Sequence, residues 1–243
     1  MEREIWFTGI LNKFLGGAVA SLLRVLGIHA DPAHAIPNYI AMEVLAILVI
    51  VSVALVLRRR LSVEQPGKFQ QIMEVALEFV QGMSREIIGH GSERYVAMLG
   101  TLGLFILLCN VLGLIPTLET PTGKIQVTLG CAVAVFLYYN FQGIRHHGPL
   151  GYLMHFAGPV WWMAWLIFPV EIISNVFRLL SLSVRLYANM FVGGLLESVF
   201  TALIPIAVPT AMMGLHVFVS FIQAYIFMLL PAVYISIATA EEH

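Results

Sequence analysis

Two arginines, one glutamate and two asparagines lie within Glu171–Asn189, EIISNVFRLLSLSVRLYAN, in a strongly apolar part of the chain. At about 100° per residue, Glu171, Asn175, Arg178, Arg185 and Asn189 fall on one helical stripe roughly 80° wide. Leu182 is the only apolar residue inside that stripe, and the other faces carry Ile, Val, Phe and Leu. From Glu171 to Arg185 such a helix rises roughly 21 Å, most of the thickness of a bilayer's hydrocarbon core. An arginine near mid-membrane costs about 2.5–3.5 kcal/mol on insertion scales, so it faces a partner or a water-filled path. The stripe therefore reads as one wall of an ion pathway.

A second stripe lies on the last apolar segment, where His216, Ser220 and Gln223 share a face and Tyr234 returns to it. If the two segments form a hairpin, Arg185 and Asn189 meet Gln223 at mid-membrane. His216 then lies toward one surface and Glu171 toward the other. One titratable group faces each side, with a permanent cation between them. Arginine suits that barrier because it does not lose its proton in a protein, whereas a buried lysine does. Histidine exchanges protons near neutral pH, and a glutamate in a damp apolar channel is tuned upward toward it. Between residues 150 and 240 the carboxylates are Glu171 and Glu197, neither within a turn of Arg185. Arg185 thus calls for a carboxylate on another subunit. Arg178 either pairs with Glu171 two turns back or snorkels to the headgroups, and His146 and His147 read as loop residues. No phosphate-cradling loop, nucleophile–base set or metal-ligand spacing is present, so no bond-making chemistry, metal or cofactor is expected.

Composition sets the frame for these stripes. Of 243 residues 59% are hydrophobic and only 11% charged, with a mean hydropathy of +0.88, against about 25% charged in a soluble domain. The expected fold is an all-α polytopic membrane protein, a single membrane domain of about five transmembrane helices plus amphipathic or interfacial helices. A net charge of −1 gives no basic face for nucleic acid. Cys109 and Cys131 lie in apolar runs and read as core residues. The expected spans are 39–57, 95–115, 125–144, 171–200 and 210–239. Residues 1–37 read as an N-terminal interfacial segment without a signal peptide, because Gly16, Gly17 and Arg24 break its apolar run. Residues 68–91 alternate Phe69, Ile72, Met73, Val80 and Met83 with charges, which gives an amphipathic helix. Three tryptophans and three prolines make 148–170 an interfacial approach rather than a span. Arg58–Arg60 and Arg145–His147 mark cytoplasmic ends, which leaves the N-terminus outside and the C-terminus cytoplasmic. Pro231 is expected to kink the last helix.

Three stretches, EIISNVFRLLSLSVRLYANMFVGG, His216 to Gln223 followed by AYIFMLLPAVYISIATAEEH, and NVLGLIPTLETPT, resemble subunit a of the F-type ATP synthase. The likeness covers residues 39–243. It implies a stationary subunit, not an enzyme by itself, that conducts protons in a bacterial plasma membrane, with sodium as the other ion open to it. It also implies two long tilted final helices forming a hairpin against a c-ring, with peripheral-stalk b subunits and lipid as further partners. By the same resemblance Arg185 is the stator arginine that separates two half-channels. Asn189, His216, Gln223 and Asn110 match positions along the outer half-channel, and Glu171 matches the cytoplasmic one; Arg178, Ser220 and Glu197 are secondary. Two departures stand out: Gly194 where some members carry a glutamate paired with the histidine position, and Gly113 where some carry aspartate. The rival readings are a stand-alone secondary transporter, which usually shows internal repeats, and a structural subunit that tolerates loss of Arg185 and His216.

Overall fold

The computed structural model describes residues 5–25, 27, 31–32, 34–62, 64–115, 118–157, 164–203 and 207–239. Seven helices follow one another: α1 Trp6–Val25, α2 Asn38–Arg60, α3 Lys68–Ile88, α4 Glu93–Leu112, α5 Ile125–Ala157, α6 Ala164–Leu203 and α7 Ala207–Thr239. A short 3-10 turn, Pro121–Gly123, precedes α5, and no strand occurs among the described residues. α2, α4, α5, α6 and α7 overlap the stretches 39–57, 95–115, 125–144, 171–200 and 210–239, with α5 running on past 144 and α6 beginning before 171.

Three departures have physical causes. The N-terminal segment is not broken at Gly16 and Gly17 but forms α1, which by length and composition is a sixth helix able to cross a membrane. A Cβ at Gly16 would sit 2.2 Å from the Pro32 carbonyl oxygen, so this glycine serves a close approach of the following loop. The region 148–170 is divided between two helices. α5 breaks at Gly148, whose φ of 74° and ψ of 164° are non-helical and open to glycine, and a second helical piece runs on to Ala157; residues 164–170 are the first turns of α6. Pro169 removes one backbone donor there, which a helix of 40 residues absorbs. Trp161 and Trp162, expected at the headgroup level, lie outside the described residues. Finally, α3 buries only part of its apolar face. Val80 and Met83 are buried, while Phe69 and Ile72 are exposed.

Packing explains which residues the helices bury. α5 lies against α6 and α7, α4 against α7, and α3 across α4 and α7. Leu99 and Ile106 of α4, Val135 of α5, Leu182 and Leu186 of α6, and Phe227 and Ile235 of α7 form the fully buried core. Gly103 lets α4 approach α7, since a Cβ there would meet the Met228 side chain. The opposite faces of α6 and α7 remain apolar and exposed, with Phe177, Val184 and Val199 on one and Leu215, Phe218 and Phe221 on the other. That asymmetry fits a helix hairpin with lipid or a partner on one side only.

Candidate functional site

The polar stripes of α6 and α7 meet. Asn189 donates from Nδ2 to Gln223 Oε1 at 2.8 Å, tying the middle of α6 to the middle of α7. Gln223 is fully buried, and its Nε2 has no hydrogen-bond partner. Arg185, one turn before Asn189, is half-buried and forms no ion pair among the described residues. Leu182, inside the stripe by angle, is buried in the core instead, because the stripe curves against α5 and α7. Ser183 beside it meets Thr128 of α5, oxygen to oxygen, at 3.2 Å.

Toward the far end of α7 the ring of His216 stands directly over α6. A Cβ on Gly193 would lie 2.2 Å from His216 Nε2, whereas one on Gly194 meets nothing within 4 Å. His216 Nε2 is buried without a hydrogen bond. Ser220 is turned away from any ion, donating back to the His216 carbonyl at 2.7 Å within its own helix. Asn110 at the end of α4 is buried and accepts from Thr122 Oγ1 at 2.6 Å, while its Nδ2 is unpartnered. The Pro121–Gly123 turn thus folds down onto α4. Gly113 is where it closes, since a Cβ there would lie 1.7 Å from Thr120 Oγ1. Beside this turn an open cavity of about 490 Å³ is bounded by Glu119, Lys124, Tyr187, Met190 and Gly194. Glu197 lies on α6, but its side chain is outside the described residues.

At the opposite end Glu171 and Arg178 pair at 3.5 Å, and the Arg178 guanidinium stands 5.6 Å from the centre of the Tyr234 ring. Of the two readings of Arg178, the ion pair is the one realised. Sequence periodicity did not reveal the cross-helix network behind it. Tyr139 donates to Asn175 Oδ1, Asn175 Nδ2 donates to Asn140 Oδ1 at 3.2 Å, and the Tyr152 hydroxyl donates to the same oxygen at 2.8 Å. Tyr139 also packs on Tyr234. The only prior sign was that Asn140 and Asn175 are amides within apolar runs. Breaking this network with Asn175→Leu leaves the Tyr139 hydroxyl without its acceptor and removes one of the two donors to Asn140 Oδ1. The expected loss is about 1–3 kcal/mol of stability, read as a lower unfolding temperature of the purified protein in detergent.

Taken together, the charged and amide side chains fall into two groups on the α6–α7 wall, with Arg185 between them. Comparison with known proteins shows the family. The family described as ATP synthase A chain matches residues 40–236. The chain is 46% identical to an ATP synthase subunit a of Koribacter versatilis, with all of both chains covered. It is 43% identical to one of Solibacter usitatus, over 96% of this chain and all of that one. A third, from Geobacter sulfurreducens, is 42% identical over 89% of this chain and 93% of its own. With that match along nearly its whole length, the chain belongs to the ATP synthase A chain family, as an integral membrane protein of the subunit a type.

Proposed function

We propose that this chain is the stationary proton-conducting subunit of a rotary F-type ATP synthase, with two offset half-channels separated by Arg185. The observation that carries the reading is Arg185 itself, a half-buried cation on a membrane helix with no carboxylate paired to it among the described residues. A carboxylate on a moving partner, the c-ring, supplies the missing charge. The exposed apolar faces of α6 and α7 give that ring and the surrounding lipid a surface to slide along. Peripheral-stalk b subunits complete the stationary side.

The cycle follows from desolvation. Protons from the outer side pass Asn110, His216 and Gln223, where three buried nitrogens lack hydrogen-bond partners. Such atoms favour water in the space beside them. A proton then neutralises the ring carboxylate, which enters lipid cheaply only in that form. The charged carboxylate is held at Arg185 until reloaded, and a loaded one arriving from the other side releases its proton toward Glu171. Glu171 already pairs with Arg178, so this half-channel carries a fixed ion pair near its mouth. Arg58–Arg60 and Arg145 end their helices on the cytoplasmic side of a bacterial plasma membrane, and the C-terminus lies there too. The N-terminus is outside if α1 lies along the surface.

Protons rather than sodium are the transported ion on this reading, since His216, a side chain that exchanges protons near neutral pH, stands on the path. Inverted vesicles carrying the complete complex and supplied with ATP should acidify in sodium-free buffer. Strict dependence on added sodium, with no change in internal pH, refutes the choice of ion.

A further inference from the structure

Resting on that reading, we propose that Glu119 is a proton-relay carboxylate of the outer half-channel, working from the loop before α5 in place of a side chain at position 194. The cavity that opens beside the Pro121–Gly123 turn has one carboxylate among its lining residues, Glu119. Lys124 holds it against the cavity wall at 3.0 Å, with both side chains largely covered. Among the described side chains these two are the only charged groups lining the cavity, and Tyr187 is the one further ionisable group.

The inner wall of the cavity is α6 at Gly194, where no side chain projects and an added Cβ meets nothing within 4 Å. The residue before it, Gly193, touches the buried and unpartnered Nε2 of His216. Gly193 and Gly194 are neighbours on α6, so bare backbone at these two positions lies between the cavity and the imidazole. A proton from outer water binds the Glu119 carboxylate and crosses the cavity. On its release to His216 the carboxylate is regenerated and pairs again with Lys124, which stays charged throughout. No bond other than O–H and N–H is made or broken.

The vacant position at Gly194 provides the test. ATP-driven proton pumping is measured in vesicles carrying the whole complex, at matched content of assembled enzyme, for wild type, E119Q, E119D, E119Q/G194E and R185A. The expected pattern is a fall of about a hundredfold for E119Q, the low side of what a positioned proton carrier contributes. E119D keeps most of the rate, and the carboxylate moved to position 194 restores most of what E119Q loses. Unchanged pumping in E119Q, with R185A inactive, overturns the relay while leaving the half-channel reading in place. A loss in E119Q that neither E119D nor the relocated carboxylate repairs makes Glu119 a structural partner of Lys124 and also overturns it. Pumping that survives R185A removes the half-channel reading itself, and the relay with it.

Discussion

Arg185→Ala is expected to abolish ATP-driven proton pumping and coupled ATP synthesis while the complex still assembles. Assembly is expected to survive because Arg185 pairs with no carboxylate among the described residues, so its loss orphans no buried charge in this chain. The contrast is Arg178→Ala, which strips Glu171 of its partner and Tyr234 of its cation and so weakens the protein as well as the path. On the proposed half-channel reading, loss of Arg185 leaves a charged ring carboxylate with nothing to hold it at the junction and no longer keeps the two half-channels apart. A passive proton leak is then expected once the water-soluble part is removed. Lysine should not fully replace it, because burial can neutralise an ammonium and not a guanidinium. Dye-monitored acidification of inverted vesicles measures both the pumping and the leak. Full pumping in Arg185→Ala makes the polar stripe structural.

The second large effect separates two neighbouring glycines. Gly193→Ala places a methyl 2.2 Å from His216 Nε2, inside any permissible contact, so the imidazole has to leave its place between the helices. Pumping should fall at least about tenfold, as expected when a proton carrier is displaced. Gly194→Ala adds the same methyl to open space. It should change the rate by no more than about twofold, in keeping with substitutions away from packed features. Equal effects at the two positions, measured at matched assembly, break the link between His216 and the rate.

Much of this was legible in the sequence because membrane helices are long and their polar residues few. The stripe from Glu171 to Asn189 picked out one face of α6, and its meeting with Gln223 was expected only if the last two segments form a hairpin; Asn189 and Gln223 do bond at 2.8 Å. What escaped depends on contacts between helices, which no period within one helix encodes. Gly16 looks like a breaker until Pro32 is seen against it. Asn140 and Asn175 look like isolated amides until Tyr139 and Tyr152 join them. Leu182 lies in the polar stripe by angle, and only the position of α5 and α7 sends it to the core. Glu119 sits in a turn-rich loop, where sequence patterns give no direction at all.

The pairing of Glu171 with Arg178 also decides how the enzyme should respond to ionic strength. Those two charges cancel at short range, which leaves Arg185 as the one uncompensated charge among the described side chains of α6. Half-buried and flanked by apolar side chains, that charge lies where mobile counter-ions scarcely reach, and its pull on a ring carboxylate is little screened. The Arg85–Glu93 pair is the opposite case, with 65% and 82% of its side chains exposed, and added salt should erase most of it. Raising the salt should therefore loosen contacts at the α3–α4 surface well before it uncouples the motor.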